Sequence, residues 1–337
     1  MPRKIKRVLL CIRRGGSFLR DKLIEIMEKH GVSYDKLEDL SSGVDFSGYD
    51  AVVVVGSDRD VLETLQYMGE KPEPILHISP PGYTAFFSAI EWNSIETEIP
   101  RFINGFYKLE EATRLKAVID GKEVVYGLNE LALFSSRSAV LINYVLEVDG
   151  ETIWRDTSDG VIIATPIGST AYAYSAGGPI VMKNARVFVV VPVNSLNPVR
   201  KPLVVSDSST IALRDISSSY RCEAIVDGVI RIRTRREIIL SKAEHPAVFI
   251  KPARKLGETI EKKTRLALEE EDMPPSAKFV YKMLEIYGEA SIKDLVKITG
   301  LPERTVRYAL SILVRKGLVK KIVNLRDTRQ RIYRIAK

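Results

Sequence analysis

DGVIIATPIGSTAYAYSAGGPIV, Asp159–Val181, is the stretch on which the reading of this chain turns. Its β-branched run, Val161–Ile163, ends in a segment crowded with glycine, serine, threonine and proline, bracketed by Gly160 and Gly177-Gly178. That composition predicts a buried strand opening into a loop of hydroxyls and backbone N–H groups. Such a loop can surround a polar ligand of nucleotide size, and composition leaves the ligand open.

The bulk composition fits a soluble chain of two or three domains: 337 residues, 45% hydrophobic. The two cysteines, Cys11 and Cys222, are far apart, and Cys11 lies in the apolar run Val8–Ile12, so a buried thiol is expected rather than a disulfide or metal ligand. Three scattered histidines, His30, His77 and His245, form no metal-binding spacing, and none is assigned a metal. No apolar run reaches the ~18–20 residues of a membrane span, so no membrane partner and a cytoplasmic location are expected. Charge is divided unevenly. Residues 274–337 hold 15 Lys/Arg against 5 Asp/Glu, whereas the whole chain has a net charge of +8. The remainder is therefore slightly acidic, and only the C-terminal segment calls for a polyanionic partner.

Buried strands are expected at residues 5–12, Ala51–Val55 and Ile75–Ile78, with helices over Phe18–His30 and about Asp60–Met68. Strand, glycine-bearing loop and helix in succession predict a parallel α/β sheet over residues 1–105, with ligands at the carboxyl ends of its strands. Residues 106–253 change to short β-rich runs: Leu115–Ile119, Ala139–Val148, Val187–Pro192, Thr210–Leu213 and Val229–Thr234. The Asp-Gly pairs at 120, 149 and 227 predict tight turns in a mostly antiparallel β domain. Residues 254–273 read as a charged linker or helix.

Residues 274–337 predict helices over Ser276–Tyr287, from an N-cap at Ser291 to Thr299, and over Glu303–Lys316. Strands at Leu318–Val323 and Arg331–Ile335 follow, around the turn NLRDTRQ. This order of elements, with the ending ALSILVRKGLVKK, resembles a winged helix-turn-helix, an α+β domain. Arg304, Thr305, Arg307 and Tyr308 would then start a recognition helix in the major groove of double-stranded DNA. Lys320, Lys321, Arg326, Arg329 and Arg331 would form or flank the wing.

The segment Asp159–Val181 closely resembles the nucleotide-binding signature of the NAD kinase family. Gly127-Leu128-Asn129-Glu130 resembles that family's LNE motif, Asn194–Leu203 its HSLSNRPL segment, Asp207-Ser208-Ser209 its PDSS, and Val226-Asp227-Gly228 its late VDG turn. The resemblance covers about residues 5–250. It implies an α/β domain followed by a β-rich domain, in which Asn129 and Glu130 hold a ribose of NAD or NADP. Asp159, Thr170, Ala171, Tyr172 and Ser175 would contact the rest of the dinucleotide. An amide beside a carboxylate suits vicinal hydroxyls, and an aromatic ring suits stacking. The family also implies a homo-oligomer.

The departure from the family lies in the phosphate-transfer loop. Where the family has GGDG followed by Thr or Ser, this chain has Gly56-Ser57-Asp58-Arg59-Asp60. Glycines there let backbone N–H groups approach the phosphates of ATP, and the Asp matching Asp58 takes the proton of the NAD 2′-hydroxyl. Asp60 adds a carboxylate where anionic oxygens are expected. Two like charges about 4 Å apart repel by roughly 4 kcal/mol at an effective dielectric near 20 unless Arg59 or a metal offsets them. In Pro74–Gly82, His77, Ser79 and a proline pair replace the family's glycines and asparagine. Arg13–Ser17 offers a weak compensating anion loop, with a solvated turn the preferred reading. These features favour a nucleotide-responsive transcription regulator that keeps the dinucleotide pocket. The alternative is an active NAD kinase using ATP and Mg²⁺ with an accessory winged helix. A kinase for another hydroxyl ranks third.

Overall fold

The computed structural model describes residues 3–13, 16–37, 44–81, 85–252, 274–287, 289–323 and 331–335. The chain falls into two compact units. One comprises residues up to 78 together with 87–253, and the other residues 79–86 together with 254 onward. The charged stretch 254–273 lies outside the described residues.

The first unit begins with the expected parallel sheet. Its strands run in the order Ser33–Leu37, Arg7–Ile12, Ala51–Val55, Ile75–Ser79, Ala247–Pro252 and Tyr107–Ala112, with the short Ile90–Glu91 also paired to Ile75–Ser79. Ala51–Val55 and Ile75–Ser79 are buried along their whole length, which is why they spell continuous apolar runs. The edge strand Ser33–Leu37, spelled SYDKL, escapes a hydrophobic reading because one flank is open to solvent. Helix Gly16–Lys29 starts before the expected Phe18, and helix Asp58–Met68 starts at Asp58 rather than Asp60.

Two six-stranded antiparallel sheets follow. One runs Glu151–Ser158, Ile142–Val148, Ile211–Ser218, Ile238–Lys242, Leu115–Ile119, Glu123–Gly127. The other runs Leu203–Ser206, Val187–Val193, Gly160–Ala164, Glu130–Ser135, Cys222–Val226, Ile230–Thr234. Their facing residues, among them Leu115, Leu131, Leu146, Val161, Ile163, Phe188 and Leu213, make one core. Asp120-Gly121, Asp149-Gly150 and Asp227-Gly228 all have positive φ at both residues, as tight hairpin turns require. The strand expected from Ala139 begins only at Ile142; Ala139 itself has φ 59°. The partition at 105/106 and 253 is drawn differently by hydrogen bonding. Tyr107–Ala112 and Ala247–Pro252 pair with each other and belong to the first sheet, so the β-rich part is inserted between them.

Gly160–Ala164 is buried on both faces. Val161 and Ile163 enter the inter-sheet core, while Ile162 and Ala164 pack under Ala173 of the short helix Tyr172–Ser175. The loop after it is tied to itself. Thr165 Oγ1 donates to the Leu128 carbonyl at 2.6 Å and accepts from Gly168 N at 3.1 Å, and Ser169 Oγ donates to Pro166 O at 2.7 Å. Gly168 passes so close to the Asn129 backbone that a Cβ would stand 1.9 Å from the Asn129 oxygen.

In the second unit, helices Pro275–Tyr287, Ile292–Thr299 and Glu303–Arg315 pack against a sheet ordered Glu289–Ser291, Arg331–Ile335, Val319–Val323. Ala277, Val280, Leu284, Leu295, Val306, Leu310, Leu313 and Tyr333 form its core. Ser291 caps the second helix in a reciprocal box with Asp294, and Gly300 ends it at φ 67°. The three-residue strand Glu289–Ser291 is too short to show alternation in the sequence.

Gly168→Ala is expected to cost about 3 kcal/mol, because the clash is with backbone and the Asn129 segment must shift. Urea unfolding measures the loss.

Candidate functional site

Asp227 organises the acceptor side of the site. Its carboxylate accepts from the backbone N–H of Leu128 (2.9 Å), Asn129 (2.7 Å) and Glu130 (3.2 Å), and from Gln66 Nε2 (2.9 Å). Burial nonetheless lifts its carboxyl to about 6. The Asn129 carbonyl is held in turn by Thr165 N at 2.8 Å. The Asn129-Glu130 pair is thus fixed from the Asp227 turn on one side and the Thr165–Gly168 loop on the other.

Glu130 is 6% exposed, and its Oε2 is a buried acceptor with no hydrogen-bond partner. Burial first, then the neighbouring Asp227 charge, pushes its carboxyl up to about 8. At neutral pH the group is mainly protonated and can both donate and accept, which suits a ligand hydroxyl. It opens into a pocket of about 520 Å³ shared with Asp159, Tyr172, Phe134, Arg137 and Arg231. Tyr172 stacks on Phe134 at 5.8 Å between ring centres and is half exposed, leaving aromatic surface for a base. Asp159 accepts from Asn194 Nδ2 at 2.8 Å.

The structure therefore gathers Glu130, Asp159 and Tyr172 around one pocket, with Asn129 next in the chain. Thr170, Ala171 and Ser175 do not line it. Thr170 Oγ1 donates back to Ile167 O at 3.3 Å, and Ser175 is exposed on its short helix. The hydroxyls of Thr165, Ser169 and Thr170 all bond within the loop or to the adjoining backbone. The sequence reading missed Arg137, Arg231 and the Ser135–Val140 segment, which carry no glycine-rich or motif spelling.

The second half of the site is the turn from Ala51–Val55 into helix Asp58–Met68. Asp58 begins the helix, its side chain about a third exposed, and its Oδ1 accepts from Phe87 N at 2.8 Å. Asp60 does not project toward incoming anions as expected. Its Oδ2 turns back to accept from Ser57 N and Ser57 Oγ, each at 2.7 Å, in a capping box. Gly56 is required beneath it, since a Cβ there would stand 2.6 Å from that oxygen. Arg59 does not offset Asp60 either; its Nε donates to Glu63 at 2.9 Å. The spelling Ser57-x-x-Asp60 was the available sign. Buried His77 donates from Nε2 to the Gly56 carbonyl at 2.9 Å. Arg14 and Gly15 of the suggested anion loop lie outside the described residues; Arg13 pairs with Glu63 at 3.5 Å. Among the described residues no group of three His, Cys, Asp or Glu is placed to hold a metal ion. No described helix is long and apolar enough to cross a membrane.

The two halves are joined by one helix. Its first turn carries Asp58, and near its end Gln66 reaches both Tyr126 O (2.8 Å) and Asp227. The fully buried Arg114 closes that end, donating to Gly69 O (2.7 Å) and Glu70 O (3.1 Å).

In the C-terminal unit, Arg304, Arg307 and Tyr308 are exposed on helix Glu303–Arg315, and Thr305 is half-buried. Arg307 donates from Nε and Nη2 to one oxygen, Oε1, of Glu303 one turn earlier. Arg331 is exposed at the start of its strand, while Arg326 and Arg329 lie outside the described residues.

A parallel sheet followed by paired antiparallel sheets, with a pocket beside Glu130 and an aspartate-led helix, is an architecture that known proteins share. The family profile of the ATP-NAD kinase C-terminal domain matches residues 128–252. The chain is 31% identical to the NAD kinase of Methanopyrus kandleri, over 72% of this chain and 84% of that one. It is likewise 31% identical to the NAD kinase of Methanothermobacter thermautotrophicus, over 71% and 85%. Its structure matches that of an NAD kinase from Archaeoglobus fulgidus in complex with ATP, with a TM-score of 0.67 and 28% identity over 77% of this chain and 98% of that one. A yeast NADH kinase complexed with NADH shares the fold, with a TM-score of 0.68 at 22% identity, over 81% of this chain and 90% of that one. The chain belongs to the NAD kinase family.

Glu130 sets a pH dependence. Its native carboxyl holds a proton up to about 8, whereas unfolded glutamate releases it near 4.5, so the native state is progressively penalised as pH rises between those values. Glu130→Gln removes that penalty, of order 3–5 kcal/mol at full ionisation. Its melting temperature relative to the parent is expected to rise from pH 5 to pH 8.5. Calorimetry at the two pH values measures it, and a difference independent of pH would refute the assignment.

Proposed function

We propose that the chain is an NAD kinase, transferring the γ-phosphoryl group of ATP to the 2′-hydroxyl of NAD. The observation that carries this reading is the arrangement at the helix start. Asp58 keeps a partly exposed carboxylate, while Asp60, the apparent obstacle in the sequence, is folded back onto Ser57. In this reading Asp58 takes the hydroxyl proton as the 2′-oxygen attacks phosphorus. Glu130 and Asn129 hold the ribose, Tyr172 stacks on a base, and Asp159 completes the dinucleotide pocket. Mg²⁺ would enter on the ATP phosphates. The sequence favoured a regulator over this enzyme. The kinases among the relatives, and the ATP complex of one structural match, support the enzyme instead.

The loop differs from a glycine-rich one in a definite way. The Ser57 N–H already serves Asp60, so phosphates must rely on the remaining donors of the first turn. Turnover slower than in relatives with intact glycines follows. A homo-oligomer in the cytoplasm belongs to the same reading, supported by the exposed Leu196 and Val199.

The C-terminal unit is read as a winged helix that binds duplex DNA. Its three helices, antiparallel sheet and excess of positive charge support that, with Arg304, Arg307 and Tyr308 presented on the third helix. The exposed Arg307–Glu303 pair is worth little and yields readily to a base edge or phosphate. Arg326, Arg329 and Arg331 would serve the wing. A regulator responding to NAD or NADP remains the second reading, favoured by the Ser57–Asp60 cap.

Incubation with NAD, ATP and Mg²⁺ is expected to yield NADP, and Asp58→Asn to lower kcat by about 10²–10⁴-fold. Tight NAD binding without NADP formation would favour the regulator. Mobility shifts on genomic fragments are expected to weaken steeply with salt, each phosphate contact adding about −0.9 to the log–log slope. Arg304→Ala should weaken the shift, and a salt-insensitive or absent shift would leave a protein-contact module.

A further inference from the structure

His77 is a buried ionisable group that the proposed reaction leaves unused. It lies in strand Ile75–Ser79 of the parallel sheet, fully enclosed, between Leu76 and Ile78. The Gly56 carbonyl can only accept, so the 2.9 Å contact fixes the tautomer with the proton on Nε2. Burial lowers the imidazole from its ordinary value, which keeps the ring neutral. Its Nδ1 lone pair is consequently a buried acceptor with no hydrogen-bond partner, and it stands 4.0 Å from Asp58 Oδ1. Asp60 and Lys251 also act on the ring electrostatically, from the helix start and from strand Ala247–Pro252.

A lone pair 4.0 Å from a carboxylate oxygen makes no hydrogen bond with it, because both groups are acceptors. It becomes satisfied once a proton sits between them. We propose that His77 is a positioning residue for Asp58, whose Nδ1 accepts a hydrogen bond from Asp58 when that carboxyl takes up the substrate proton. This rests on the kinase reading. In that step the 2′-oxygen bonds to the γ-phosphorus as the phosphorus bond to the β–γ bridging oxygen breaks. ADP leaves with that electron pair, and the hydroxyl proton passes to Asp58. The new hydrogen bond exists only after proton transfer begins, so it stabilises the transition state and not the bound substrates. The 4.0 Å separation is within reach of tightening on substrate binding. The Nε2 contact to Gly56 simultaneously holds the ring against the phosphate loop.

His77→Gln keeps a side-chain N–H for Gly56 and removes the ring acceptor. Expected is a kcat for NADP formation about five- to tenfold lower, with KM for NAD and ATP within twofold of the parent. The acid limb of the kcat–pH profile should move to lower pH, since the protonated form of the base loses its partner. A merely structural histidine would not move that limb. Unchanged kcat and an unmoved limb in a folded His77→Gln overturn the proposal while leaving the kinase reading intact. A second measurement does not depend on turnover or on the variant folding. With ¹³C-aspartate and ¹⁵N-histidine labels in the full chain, the Asp58 carboxyl and His77 Nδ1 signals should titrate with one midpoint. An Nδ1 signal that stays unmoved while Asp58 titrates overturns the proposal. Absence of NADP formation by the parent protein would instead remove the kinase reading, and the spectra would still decide whether the two groups share a proton.

Discussion

One buried carboxylate holds the acceptor side of this protein together. Asp227 sits in a left-handed turn, φ 51°, and receives three consecutive backbone N–H groups from Leu128 to Glu130 together with the Gln66 amide. Hydrogen bonds to a charged acceptor are worth about 1.5–3 kcal/mol each, and orphaning those donors in a buried site costs comparably. Without Asp227 the Asn129-Glu130 pair keeps only its tie to the Thr165–Gly168 loop and the neighbouring strand. The same carboxylate anchors the far end of the helix that begins with Asp58, so the Glu130 pocket and the Gly56–Asp60 turn share one reference point. Its charge also raises the Glu130 carboxyl. The scaffold that places Glu130 therefore also tunes it, at a cost to stability that a binding site can justify.

Much of the fold was legible because buried strands and Asp-Gly turns leave strong marks. Ala51–Val55 and Ile75–Ser79 spell their burial outright, and all three Asp-Gly pairs adopt the geometry their spelling demands. The glycine-rich signature identified the family, although part of its chemistry is architectural. Gly168 allows two backbones to touch, and Thr165 and Ser169 tie the loop rather than reaching outward. Of the residues the resemblance implied, Glu130, Asp159 and Tyr172 line one pocket, and Thr170, Ala171 and Ser175 lie outside its lining.

The Gly56–Asp60 turn shows where residue type misleads. A second aspartate two places after Asp58 suggests repulsion of anions when only composition is considered. Its direction follows from helix phase: the third residue of a helix reaches back to the cap. His77 was equally opaque, because a histidine within an apolar strand says nothing of which ring nitrogen finds a partner. Side-chain direction and tautomer are tertiary facts.

The β-rich region leaves the parallel sheet through Tyr107–Ala112 and returns through Ala247–Pro252, and these strands lie side by side. The returning strand separates Tyr107–Ala112 from Ile75–Ser79, so the earlier strand has no neighbour in the sheet until the later one arrives. Bringing the partners together closes a loop of well over a hundred residues, an entropic cost that falls sharply if the intervening sheets have already condensed. The order of assembly is thereby constrained. Early condensation of the inserted sandwich lowers that cost, and the N-terminal sheet is completed by a strand synthesised long after its neighbours.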